Sequence, residues 1–334
     1  MLKKFVNECR FTLTLETKSP FLIKDGNYKK TDKGTLDAIF IKGRTVDKTK
    51  PQQPVIHGYY IPGTSLRGVI RSHTEKIVRT IVNNDANPIC CDPFDDQVSC
   101  SKRLDSTRSN KQSSPSYANT CVICKLFGCT GTASRIQVHD SAISRQGIVG
   151  VRDGIGIDRF TGGVSSGANF KNEVLEGYTF QSEITIRNFE LWQLGLLAYV
   201  FSDFKQELVT LGFGKSKGFG RVKGTIGEIR IAYYGNKTGT VLTDIGDLLE
   251  KKLPENQRVY GFVEGNLTDD SLLEPLTSSD ELTYRREFRV VNHQNFWKAC
   301  AKVWNDAKFK SIPQLRATAN KAEHPEAAPE VSNG

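Results

Sequence analysis

The chain has 334 residues, 38% hydrophobic and 25% charged, the balance of a globular protein large enough for a full core rather than a fibrous or disordered one. Its formal net charge of +9 suits a polyanionic partner. No apolar run approaches the roughly 20 residues of a membrane-spanning helix, so no membrane partner is expected.

The start, Met1 to Val6, carries two lysines with no apolar stretch behind them. No secretory signal is therefore expected, and a cytoplasmic address with free thiols rather than disulfides follows. Residues 9–17 alternate apolar and polar side chains over a β-branched run, which predicts a half-buried strand. Residues 24–53 are rich in Lys, Asp, Gly and Gln around a short apolar island, 36–41, and predict a long loop with one brief strand.

The chain turns at Ile61-Pro62-Gly63-Thr64-Ser65-Leu66-Arg67-Gly68, where Thr64 or Ser65 is placed to cap a helix. Its apolar positions are Leu66, Val69, Ile70, Ile77, Val78 and Ile81, and its other face carries Arg67, Arg71, Lys76 and Arg79. A cysteine-rich region, about 87–130, encloses a polar stretch, 101–119, that reads as a flexible excursion tied down at its base. Between 147 and 177 glycine recurs too often for a regular element.

A strand is predicted over 178–187, a helix from Glu190 to about Phe204 with Leu191, Leu194, Leu197 and Ala198 on one face, and a strand over 221–233. Strand, helix, strand, helix, strand with long insertions predicts an α+β chain with a ferredoxin-like split βαβ core over residues 1–233. An extension, 234–316, holds a predicted strand, 282–291, and a short helix, 295–304, with no assigned role. The tail 317–334, rich in Ala, Pro, Glu and Asn, is expected to be disordered.

Two segments carry chemistry in their composition alone. The first is Gly212-Phe213-Gly214-Lys215-Ser216-Lys217-Gly218-Phe219-Gly220-Arg221, lying between a helix and a strand. Gly214 and Gly218 leave the backbone open to close approach, while Lys215, Lys217 and Arg221 supply charge for a phosphate backbone. It is not a nucleotide-binding P-loop, because its Gly-Lys-Ser leads into another glycine and a strand instead of a helix.

The second is the cysteine cluster, which holds six of the eight cysteines between positions 90 and 129. Cys121 and Cys124 form a Cys-x-x-Cys pair, and with Cys91 and Cys100 they make a preferred set for a tetrahedral structural zinc. Cys90, Cys129 and His73 are the possible replacements. A nucleophilic cysteine lacks a recognisable histidine partner here, and a redox Cys-x-x-Cys lacks its βαβ setting.

The segments 61–68, Lys125-Leu126-Phe127-Gly128 and 212–220 occur in this order and at separations that closely resemble the repeat-associated mysterious protein superfamily. Within it the chain is most similar to the backbone subunits of type III CRISPR effector complexes, of the III-D or a related lineage, over roughly residues 9–233. That resemblance implies partners: a CRISPR guide RNA, its complementary target RNA, paralogous backbone subunits and a large polymerase-like subunit.

It also implies roles for particular residues. Ser65, Arg67 and Arg71 would lie along the guide backbone. Residues 147–177 would form a β-hairpin thumb that wedges into the guide–target duplex through Arg159 and Phe160. Asp37, in the stretch that best matches the family's cleavage loop, would be the catalytic carboxylate of a metal-dependent endoribonuclease, using Mg2+ or Mn2+ for 2′-hydroxyl attack on the target RNA; Asp25 and Asp32 match less well. The same resemblance admits a non-catalytic scaffold subunit, and a guide-processing endoribonuclease with a histidine base. For the last, His57, His73, His139, His293 and His324 form no recognisable constellation.

Overall fold

The structure, a computed structural model, describes residues 4–28, 36–45, 56–82, 88–105, 117–235, 241–249, 254, 260–263, 265, 267, 269–276 and 284–309. Asp32, most of the excursion (106–116) and the tail 317–334 therefore lie outside the described residues. In chain order the elements begin with strand β1 (Asn7–Thr17), the small hairpin β2 (Lys42–Thr45) and β3 (Ile56–Tyr59), and helix α1 (Gly63–Ile81). Two short helices follow, α2 (Cys100–Asp105) and α3 (Val122–Phe127), then strands β4 (Ile136–Val138), β5 (Ala142–Arg145), β6 (Ile148–Ile157), β7 (Val164–Glu176) and β8 (Thr179–Arg187). The remainder is helix α4 (Leu191–Lys205), strand β9 (Val222–Tyr234), helix α5 (Ile245–Leu249), strands β10 (Leu273–Pro275) and β11 (Arg285–Val290), and helix α6 (His293–Asp306).

Alternation along β1 sends Cys9, Phe11, Leu13 and Leu15 into the core, while Arg10, Thr12, Thr14 and Glu16 face the other way. β1 pairs antiparallel with β8 on one side and β9 on the other. The main sheet runs β10-β11-β9-β1-β8-β4, with β5 also paired to β8 and every pairing antiparallel. The protein is thus a mixed α+β structure on an antiparallel sheet.

The helices cover one face of this sheet. Phe11 of β1 meets Phe201 of α4 and Trp297 of α6 edge-on, with ring centroids 5.2 and 5.9 Å away. Trp192 of α4 lies against Trp304 of α6. The single apolar face read for α4 proves too narrow: ten of its residues are buried, because α6 packs along it as well as the sheet.

The residues beyond 234 build onto the same body. β11 adds to β9 at the sheet edge, and two buried carboxylates join this part to the start of α4. Asp244 accepts hydrogen bonds from the amides of Leu191 (2.6 Å) and Gly246 (2.7 Å), and Glu190 accepts from the amide of Val263 (2.8 Å) and from the Tyr117 hydroxyl. Burial, then the charge of Glu190, pushes the Asp244 carboxyl well above its ordinary value.

Three local expectations change. Residues 147–177 form two long strands, β6 and β7, in a two-stranded sheet of their own; their glycines sit within the ladder, Gly150 opposite Val174 and Gly154 opposite Phe170. Neither Thr64 nor Ser65 caps α1. Pro62 occupies the N-cap without a side-chain bond, and Asp140, from the break between β4 and β5, accepts from the Gly63 amide at 2.7 Å. The island 36–41 makes isolated bridges instead of a strand, Ala38 to Asn172 and Phe40 to Lys24.

The same break explains the Pro-Gly of the helix-opening segment. Ile61 exchanges both backbone hydrogen bonds with Ser141 (3.2 and 2.8 Å), which brings the start of α1 against β4. A Cβ at Gly63 would lie 2.2 Å from the Val138 carbonyl oxygen, so only glycine fits there.

Candidate nucleic-acid interface and metal centre

The glycine-rich loop is closed by its own backbone and pinned to the segment after β1. Leu211 and Gly220 pair at 2.9 Å, Phe213 donates to the Leu22 carbonyl (2.7 Å), and Gly220 donates to that of Pro20 (2.9 Å). Gly212 has φ of +80°, and a Cβ there would meet the Leu22 carbonyl oxygen at 2.2 Å. Held this way, the loop exposes Lys215, Lys217, Gly218 and Arg221, with Gly214 half-buried beneath them. Arg221 reaches back to Glu207 at 3.4 Å.

Cations and rings alternate outward from the loop. Lys24 Nζ stands 3.6 Å from the centre of the Phe213 ring, and Lys217 Nζ lies 5.9 Å from Phe213 and 5.8 Å from Phe170 of β7. Such contacts hold the ammonium groups beside flat apolar surface without neutralising them. Sequence reasoning missed Lys24 and Phe170, which lie far from the loop along the chain and carry no local motif.

The hairpin of β6 and β7 stands out from the body, attached at its root. Phe21 and Leu175 exchange backbone hydrogen bonds (3.0 and 2.8 Å), and Glu173 donates to the Ala38 carbonyl (2.9 Å). Asp37 lies at this root: its amide donates to the Lys171 carbonyl, and its Oδ2 accepts from the Lys171 amide, both at 2.7 Å. At the tip Phe160 is 100% exposed beside exposed Arg159. Hydrogen bonds from the Thr161 and Phe160 amides hold the Asp158 carboxyl below its ordinary value and shape the turn.

The arginines of α1 face the protein. Arg67 donates to the Phe127 carbonyl and to Ser134 Oγ (3.1 Å). Arg71 donates to Glu75 Oε1 (3.0 Å), the Gly128 carbonyl (3.1 Å) and Cys124 Sγ (3.7 Å). Ser65 is exposed on the first turn.

Beneath them Cys91, Cys100, Cys121 and Cys124, all buried, bring their sulfurs within 4.8 Å of one another. Cys91 Sγ and Cys124 Sγ are 3.7 Å apart, matching the edge of about 3.8 Å that four zinc–sulfur bonds of about 2.3 Å would span in a tetrahedron. Amides point at the sulfurs as they do toward metal-bound thiolates: Cys121 N donates to Cys100 Sγ and Cys124 N to Cys121 Sγ, each at 3.3 Å. Hydrogen bonds among the four sulfurs draw the Cys91 thiol well below its ordinary value and push those of Cys100 and Cys124 well above theirs. His73 lies elsewhere, 2.7 Å from Asp203, and burial pushes the Cys90 thiol up. The four cysteines could hold a structural metal such as zinc.

An α+β body on an antiparallel sheet, with a buried four-thiol site and an exposed basic loop beside a projecting hairpin, has the makings of a polyanion-binding protein. Residues 14–223, well over half of the chain, match the family model of the RAMP superfamily, and the chain belongs to that superfamily. RAMP proteins bind CRISPR RNA in CRISPR complexes, and the chain fits a CRISPR-associated RNA-binding subunit. A search of curated proteins finds no match. Among the described residues, no helix is long and apolar enough to cross a membrane.

Proposed function

We propose that this chain is a guide-RNA-binding backbone subunit of a type III CRISPR ribonucleoprotein, of the III-D or a related lineage. Its core would be the ferredoxin-like split βαβ unit, with β4 and β5 together as its second strand and the order β9-β1-β8-β4 as its sheet. The observation that carries the reading is the line Lys24, Phe213, Lys217, Phe170, which joins the glycine-rich loop to the root of the hairpin. Ammonium groups beside ring faces suit an RNA strand, whose phosphates take the charge and whose unpaired bases take the rings.

In this reading the guide runs past Lys215, Lys217 and Arg221, and the hairpin reaches the guide–target duplex with Arg159 and Phe160. Paralogous subunits and a large polymerase-like subunit complete the assembly. Asp37 lies at the hairpin root, where it would act on the target strand with Mg2+ or Mn2+ brought by the RNA phosphates.

A scaffold role without cleavage is favoured by one observation. Asp37 Oδ2 already accepts the Lys171 amide, and among the described residues Asp37 joins no group of three or more metal-ligating side chains. Asp37→Asn separates the two, because it keeps an acceptor for Lys171 while removing the charge. In the reconstituted complex with guide and complementary RNA, the cleaving subunit loses one product band and keeps its guide content. An unchanged ladder makes the subunit a scaffold.

A further inference from the structure

We propose that Arg71 is a positioning residue of the four-thiolate metal centre, steadying Cys124 and the turn behind it, and is not an RNA contact. The proposal rests on the metal reading of the cysteines and requires of the RNA path only that it does not engage Arg71. Arg71 reaches Cys124 Sγ at 3.7 Å with Nη2 and the Gly128 carbonyl at 3.1 Å with Nη1, while Nε is held by Glu75 at 3.0 Å. Every nitrogen of the guanidinium is thus turned to a protein acceptor, leaving a poor fork for phosphate.

The charge of the site asks for such a group. Four thiolates around a divalent ion carry two net negative charges, and here they are buried. Arg71 brings a full positive charge onto one sulfur. Arg79, two turns along the same helix, donates to the Cys91 carbonyl at 3.0 Å. Arg67 grips the same turn through the Phe127 carbonyl. The helix-opening segment and Lys125-Leu126-Phe127-Gly128 therefore interlock, with the metal-binding thiols beneath the joint.

The test uses the full chain and Zn2+, titrated against a chromophoric chelator, with Co2+ as a spectroscopic substitute that reports thiolate ligation. Loss of a hydrogen bond to a ligand lowers metal affinity by about 10–100-fold, and this is expected for Arg71→Met. Arg71→Lys, a milder change that keeps the charge but not the fork, is expected to fall between the two, and RNA affinity is expected to hold in both variants. Wild-type zinc affinity in both variants would overturn the proposal, as would loss of RNA binding in Arg71→Met with rescue by Arg71→Lys. A wild-type chain that takes up no zinc also overturns it, and RNA binding by the same preparation shows whether the RNA reading survives.

Discussion

Glu8 faces away from the helices, on the side of the sheet that carries most of the polar side chains, and is nonetheless only 3% exposed. Arg10 (2.7 Å) and Arg187 (2.8 Å) cover it, and the Tyr234 hydroxyl closes a third side. Burial works against its charge, but hydrogen bonds from Arg187 and Arg10 win and hold its carboxyl below the ordinary value. A depressed native value means that the unfolded chain takes up the proton first as pH falls. Stability from Glu8 is therefore complete above the unfolded value and disappears as pH drops through the native one. Glu8→Gln is expected to cost about 1–3 kcal/mol at neutral pH, the lower end reflecting arginines that stay partly hydrated. In denaturant titrations across pH the variant and wild-type stabilities should converge in acid; a constant gap would mean that packing, not charge, sets the cost.

Among the elements, the glycine-rich loop is the most tightly specified. Gly212→Ala would set a side chain against the Leu22 carbonyl and force alanine into a left-handed backbone. A loss of about 2 kcal/mol or more is expected in equilibrium unfolding; a wild-type midpoint would show that the loop can release Leu22 at little cost. The composition of this loop was legible because its glycines and lysines are consecutive. The strands β1, β8 and β9 were legible for a similar reason: their two-residue alternation is a local property. The cysteine set was readable as well, since thiols are few and a Cys-x-x-Cys pair narrows the choice. What stayed hidden depends on distant partners. Asp140 caps α1 from 77 positions away, and Asp244 meets Leu191 from 53. The arginines of α1 looked like a solvent-facing basic stripe, and nothing local tells a guanidinium aimed at a phosphate from one aimed at a carbonyl. The glycines of β6 and β7 misled for a different reason. They usually weaken strands, but in a hairpin with few core contacts they sit opposite Val174 and Phe170 without breaking the ladder.

At the scale of the whole molecule, the surplus positive charge is unevenly placed. The sheet face away from the helices alternates sign, with Arg10 between Glu8 and Glu183, and Arg230 beside Glu228. Such a face neutralises itself and offers little to a polyanion. The loop end, by contrast, exposes Lys24, Lys171, Lys215 and Lys217. Removing Lys215 and Lys217 together should flatten the dependence of log affinity on log salt by roughly 1.4 for single-stranded RNA, whereas Arg230→Ala should leave it unchanged. Equal slopes for the two variants would mean that RNA does not enter at the loop end.

The projecting hairpin is also a mechanical arm. Ten residues of β6 at about 3.3 Å each give it a length of roughly 30 Å. Its pivot is the few backbone bonds at Phe21, Asp37 and Ala38 together with Lys217 beside Phe170. Six residues separate Gly154, opposite the anchored Phe170, from Phe160, so the lever beyond the pivot is at most about 20 Å, and a ten-degree turn would sweep Phe160 through about 3.5 Å, roughly the spacing of two stacked bases. A displacement imposed on Lys217 at the root would thereby be magnified at the tip.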